Sequence, residues 1–181
     1  MITMNTKNLL LLASLTLTMP LAAQTPQEDF KRDITLSGSN YVAYRGPQKQ
    51  LTAAPKGYKP FYLSHYGRHG SRYMIGKKAY DVPYFSLLKA KQEGKLTAKG
   101  EETLAKVKMI REEAKGRDGE LTPLGALQHQ GITRRMMERF PEIFAGNTNI
   151  EARSTLVIRC ILSMENGLQQ MLRMNPKLHI F

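Results

Sequence analysis

Tryptophan is absent and cysteine occurs once, at Cys160. A lone cysteine excludes an internal disulfide in any redox compartment, so packing and hydrogen bonds must hold the fold. That thiol suits a buried, inert position better than a reactive one. Acidic residues are also scarce. Against 27 Lys and Arg stand only 15 Asp and Glu, leaving a formal charge of +12. Such an excess favours an anionic partner without saying whether it is a metabolite, a nucleic acid or a lipid. Beyond the amino terminus no apolar run resembles a transmembrane helix. The length, 181 residues, allows one modest core but not two generous ones.

What is present begins with an export signal. Lys7 supplies a short positive region, Leu9 to Leu17 is almost wholly apolar, and Ala22-Ala23 offers small residues for processing, with Gln24 as the mature terminus. Leu21 fits the small-x-small pattern poorly, and an uncleaved amphipathic or membrane anchor is the alternative. Residues 1–23 are therefore expected to be a signal peptide, and the protein to be exported, periplasmic or secreted, with no stable membrane span. Residues 24–57 have little periodicity and read as an irregular leader with one short strand around Tyr41 to Tyr44.

Lys59 to His65 has strand character, being rich in aromatic and apolar residues. All eight tyrosines fall between Tyr41 and Tyr84, a pattern that ordinary aromatic packing explains. Lys77, Lys78, Lys89 and Lys91 make the next segment basic, as a solvated face would be. Glu101 to Lys115 reads as a helix, starting near Thr97, with Leu104, Val107, Ile110 and Ala114 as its stripe. A second start is marked by Thr122 as cap and Pro123 at the first helical position. Leu124, Leu127, Ile132, Met136 and Phe140 are its expected inward face. Asn149 to Thr155 can be a short strand, and Arg159 to Met174 a helix packing through Ile161, Leu162, Leu168, Met171 and Leu172. Another strand begins at Leu178-His179-Ile180-Phe181, so the alternation favours an α/β arrangement.

The most constraining stretch is Arg68-His69-Gly70-Ser71-Arg72, at the mouth of the first strand. Two guanidinium groups flank an imidazole. Arginine gives planar, multidentate donors to phosphate oxygens and keeps its charge, and a neutral imidazole nitrogen can act as a nucleophile. From spacing alone, phosphate chemistry and a solvated basic turn are equally good accounts, with metal or nucleic-acid contact behind them. His65 and His129 match neither the nucleophile nor a familiar metal spacing and read as structural or solvent-facing. Glu151 and Arg153 either shape a cleft or are ordinary strand-edge charges.

Three segments in order resemble the histidine phosphatase superfamily, in its histidine acid phosphatase branch, and especially bacterial multiple inositol-polyphosphate phosphatases. They are Ser64-His65-Tyr66-Gly67-Arg68-His69-Gly70-Ser71-Arg72-Tyr73, Leu121-Thr122-Pro123-Leu124-Gly125 with Gln128 and Arg134-Arg135 after it, and Arg153 to Met164 around Arg159. The likeness covers roughly residues 58–175 and corresponds to the amino-terminal part of that family's domain. It implies a partial α/β sheet flanked by helices over residues 58–181, truncated at its carboxyl end, with another half missing. It further implies that His69 attacks phosphorus to form a phosphohistidine, and that Arg68, Arg72 and Arg159 surround the transferred phosphoryl group. Gly70 would permit close backbone approach.

The implied substrate is an anionic phosphomonoester of the inositol polyphosphate type, with no cofactor, no metal and no specific nucleic acid. The family's later half normally brings a His-Asp or His-Ala-Glu segment whose acid protonates the leaving oxygen. No such pair follows Arg159, and neither Glu142 nor Glu165 stands in a matching motif. Autonomous turnover is therefore in question, and an exported polyanion-binding fragment without turnover is the opposing expectation.

Overall fold

The computed structural model describes residues 25–181 apart from 48, 50 and 51. The expected signal peptide lies outside the described residues. The chain divides into two compact units, one ending at Ala43 and the other beginning at Tyr44. Among the described residues no helix is long and apolar enough to cross a membrane.

In the first unit, α1 (Pro26–Arg32) starts with a capping box. The Thr25 hydroxyl accepts from the Glu28 N–H, and the Glu28 carboxylate accepts from the Thr25 N–H at 3.1 Å. Asp33 ends α1 and opens a 3-10 segment, Ile34–Tyr41, by accepting from Thr35 N–H at 2.9 Å. Regular local structure thus occupies part of the stretch expected to be irregular, and no strand forms around Tyr41 to Tyr44. Thr25, Pro26 and Glu28 carried the signal.

The second unit holds two helix pairs and a minimal sheet. Its first pair is α2 (Lys78–Gln92) and α3 (Ala98–Glu113), bridged by Arg111 to Asp81 at 2.6 Å and Lys91 to Glu101 at 2.7 Å. α3 begins next to Thr97, as expected, and Thr97 caps it by accepting from Gly100 N–H. The basic-face reading had no place for α2, although Tyr80, Tyr84, Leu87 and Leu88 carry a helical period. Pro83, inside the helix, interrupts its hydrogen bonding and masks that pattern. Tyr73, Tyr80 and Ala114 form a small core under this pair.

The second pair is α4 (Pro123–Arg139) and α5 (Ile158–Met174), which pack most extensively. Between them run β1 (Asn149–Ile150) and, after α5, β2 (His179–Ile180), paired in parallel with Asn149 opposite His179. This is a βαβ connection, the unit by which a helix crosses between parallel strands. Met137, Phe144 and Leu178 form its core, joined by Leu63, Met171 and Ile180.

Two sequence expectations shift. Lys59 to His65 takes no regular secondary structure and makes no ladder. Among the described residues only β1 and β2 pair, apart from an isolated antiparallel bridge of Arg72 with Leu121. Phe61 (94 %) and Tyr66 (102 %) are exposed, while Leu63 turns into the core. The facing surfaces of α4 and α5 also differ from the leucine stripes. Gly125, Thr133 and Met137 are buried on α4, and Ser163, Gly167 and Gln170 on α5, whereas Leu127 (61 %) and Leu162 (44 %) face outward. Small residues let the helices approach closely, and polar ones fill the seam: Gln130 donates to Asn166 at 2.9 Å.

A Cβ at Gly167 would stand 3.0 Å from the Thr133 hydroxyl oxygen. Gly167→Leu should therefore cost about 1–3 kcal/mol by overpacking, while Leu162→Ala should stay within about 0.5 kcal/mol as a surface change. Urea unfolding of both variants checks this; the reverse order would show that the leucine stripe forms the interface.

Candidate functional site

The Arg68–Arg72 loop is fixed between the amino-terminal ends of α4 and α5 by contacts that reach far along the chain. Its exit is stitched to the turn before α4: Tyr73 N–H donates to Glu120 O at 2.9 Å, and Gly119 N–H to Met74 O at 3.0 Å. Thr122 has two tasks. Its hydroxyl accepts from Gly125 N–H as the α4 cap, while its N–H and its hydroxyl both donate to Ser71 O, each at 2.9 Å. The helix cap is therefore also a clamp on the loop.

Two glycines make this approach possible. A Cβ at Gly70 would lie 2.4 Å from the Gly125 carbonyl oxygen, and a Cβ at Gly125 would lie 2.3 Å from Ser71 O. No real side chain tolerates such contacts, so backbone touches backbone here, as expected for Gly70. The second glycine, Gly125, is the equal partner that the sequence reading left unassigned.

The loop's peptide groups are individually held. Gly70 N–H donates to the Ser163 hydroxyl at 3.1 Å, and that hydroxyl donates to Arg159 O at 2.7 Å. Ser71 N–H donates to Gln128 Oε1 at 2.8 Å. His69 Nδ1 lies 2.8 Å from Gly70 O. A carbonyl oxygen only accepts, so Nδ1 carries the proton and Nε2 of the neutral ring keeps its lone pair. That is the protonation a nucleophilic imidazole requires.

The arginines differ in placement. Arg68 is exposed; Arg72 and Arg159 are half-buried. Arg72 donates through Nη1 to Tyr73 O at 2.9 Å. The Arg159 guanidinium rests on Gly119 O at 3.5 Å, the outer limit of a hydrogen bond, while its carbonyl joins the loop through Ser163. Among the described residues no carboxylate pairs with Arg68, Arg72 or Arg159, although Arg111 and Arg117 have theirs. Three N–H donors are buried without an acceptor: Arg72 Nε, Arg159 Nε and Gln128 Nε2. Leaving such groups unpaired is costly, about 1–3 kcal/mol each and more for charged ones.

The other sequence candidates separate clearly. Glu151 and Arg153 pair with each other at the surface. His65 is exposed. His129 is half-buried, bonded to the Arg68 backbone, and burial holds its pKa below the usual 6.5; the neighbouring His65 and His69 rings act in the same direction. Its place next to Gln128 on α4 was the available sign. Among the described residues no group of three or more His, Cys, Asp and Glu is placed to hold a metal ion. A cavity of about 330 Å³ lies elsewhere, lined by residues including Lys77, Asp81, Arg111 and Asp118, with no loop residue among them.

No family model and no curated protein matches the chain. Among solved structures, it is similar to the Bifidobacterium longum multiple inositol polyphosphate phosphatase in complex with inositol hexasulfate. The match has 26% identity and a TM-score of 0.55, covering 75% of this chain and 29% of that one. The fold is a partial, histidine-phosphatase-like α/β fold. The chain spans less than a third of that neighbour's length. Among the described residues the sheet is small and the regular structure mostly helical, with β1, α5 and β2 supplying the α/β character.

Two outcomes test the site as built. Gly125→Ala should lower stability by about 1–3 kcal/mol, because its methyl cannot coexist with Ser71 O; unchanged urea unfolding would contradict the close approach. The His129 effect has a definite sign. Folded protein takes up its proton at a lower pH than unfolded protein does, so stability is full above pH 6.5 and falls as pH drops below it, towards the folded value. His129→Gln should flatten that slope in unfolding measured across acidic pH.

Proposed function

We propose that this chain carries the nucleophile-bearing part of a phosphomonoester hydrolase acting on inositol polyphosphates such as inositol hexakisphosphate. The observation that carries the reading is His69, held as the Nδ1–H tautomer by Gly70 O, beside arginines that have no carboxylate partner. The neighbour's complex with inositol hexasulfate, a polyanion, supports the substrate class at the level of likeness. In this reading Nε2 attacks phosphorus, the ester P–O bond breaks, and the leaving oxygen takes a proton from an acid. Water then attacks the phosphohistidine, the P–N bond breaks, and phosphate departs with His69 neutral again. Arg68, Arg72 and Arg159 balance the charge on the equatorial oxygens, for which multidentate guanidinium groups are suited. Arg159 has only a weak hold on Gly119 O to surrender.

In this reading the acid comes from polypeptide other than this chain, since no carboxylate is bonded to the Arg68–Arg72 loop. A positioned acid contributes about 10²–10⁴ in rate, so the chain by itself should turn over slowly. Export, to the periplasm or the medium, is part of the proposal and rests on the Lys7 and Leu9 to Leu17 pattern. The second reading, an exported polyanion-binding chain without turnover, is favoured by one observation. None of the hydrogen bonds holding the Arg68–Arg72 loop involves a carboxylate.

Phosphate release from inositol hexakisphosphate should be measured for the chain without residues 1–23, beside His69→Ala, with circular dichroism establishing that both fold. Release by the parent and its loss in the variant is the expected result. Two folded but inactive proteins would refute autonomous hydrolysis, and saturable binding of inositol hexasulfate by both would then favour the second reading.

A further inference from the structure

One peptide group stands between His69 and α4, and one side chain holds it. The carbonyl that accepts from His69 Nδ1–H belongs to Gly70, and the N–H of that same peptide belongs to Ser71. Ser71 N–H donates to Gln128 Oε1 at 2.8 Å, so both ends of the Gly70–Ser71 peptide are engaged, each at 2.8 Å. The other clamps act on different groups. Ser163 holds Gly70 N–H, in the preceding peptide, and Thr122 holds Ser71 O, in the following one. Among the described residues Gln128 is the side chain bonded to the peptide that holds His69.

We infer that Gln128 is a positioning residue for His69, setting its protonation through the Gly70–Ser71 peptide. The peptide is planar, so fixing its N–H fixes the direction of its carbonyl. An acceptor at the N–H also polarises the unit and makes the carbonyl a stronger acceptor at its other end. The Nδ1–H tautomer is thereby favoured and the lone pair kept on Nε2. The Gln128 amide cannot be turned over without setting a donor against the Ser71 donor. Its Nε2 remains buried without an acceptor in this orientation, so the Ser71 contact is kept although it leaves that donor unpaired.

The catalytic consequence rests on the phosphohydrolase reading; the tautomer does not. The test is ¹⁵N NMR of the histidine rings in the full chain at pH 8, with His69 assigned by its disappearance in His69→Ala. Wild-type protein should show His69 protonated at Nδ1, together with a scalar coupling across the hydrogen bond between Ser71 N and Gln128 Cδ. Gln128→Met should move His69 mainly to the Nε2–H tautomer. Gln128→Glu, which retains an acceptor for Ser71, should leave it at Nδ1, and so should Ser163→Ala, which touches a different peptide.

A wild-type His69 protonated at Nε2, or absence of the coupling, overturns the inference without any variant being needed. A folded Gln128→Met protein with its tautomer unchanged does the same. Where turnover is measurable, Gln128→Met should lower kcat about tenfold with KM little changed, since the Nε2 lone pair is used in the chemical step. The expected tautomers without phosphate release in wild type would refute autonomous hydrolysis and leave the role of Gln128 standing.

Discussion

The contact between Gly70 and Gly125 is the constraint on which the site depends. Because neither residue has a side chain, the loop backbone reaches the first turn of α4, and every other clamp falls within range. Thr122 can then cap its helix and bond Ser71 with the same hydroxyl, and Gln128, six residues further on, reaches Ser71 N–H. From the other side α5 contributes Ser163 to Gly70 N–H. A loop held at consecutive peptide groups has little freedom left, which is how the His69 imidazole is kept in one orientation.

The pairing of α4 with α5 follows the same logic of close approach. Thr133, Ser163, Gly167 and Gln170 form a seam of small and polar residues. The seam consequently transmits position: Ser163 is bonded both to the loop and to the Arg159 carbonyl, so the second helix carries one arginine and anchors the Arg68–Arg72 loop at once. The price is an outward-facing set of leucines and aromatics, among them Leu127, Leu162, Phe61 and Tyr66. Their exposure fits a chain that corresponds to 29% of its structural neighbour.

Electrostatics separate the two faces of the second unit. Along α2 and α3 the basic residues are largely answered by carboxylates, as Arg111 is by Asp81 and Lys91 by Glu101. Around the loop no such answer exists for Arg68, Arg72 or Arg159 among the described residues. Two of these arginines, Arg72 and Arg159, also bury an Nε that has no acceptor, a feature unusual in folded proteins. The overall charge of +12 was an indirect sign of this; the uneven pairing gives it a location.

The sequence by itself determined the local features. Thr122-Pro123 and Thr97 announced helix starts because capping depends on neighbours in the chain, and the Arg-His-Gly-Ser-Arg order pointed to phosphate chemistry, with a solvated basic turn as its equal on spacing alone. The βαβ order was also legible, although its strands proved shorter than their apolar runs suggested. Which face of α4 and α5 turns inward was not legible, since glycine and serine seams give no hydrophobic period and leucines outweigh them in any count. Nor was the tautomer of His69, or the role of Gln128, which stands 59 positions beyond it in the numbering. Those depend on one peptide group having its carbonyl against the imidazole and its N–H against an amide from a distant helix. Only the tertiary structure decides that, because hydrogen-bond direction is a property of atoms brought together in space.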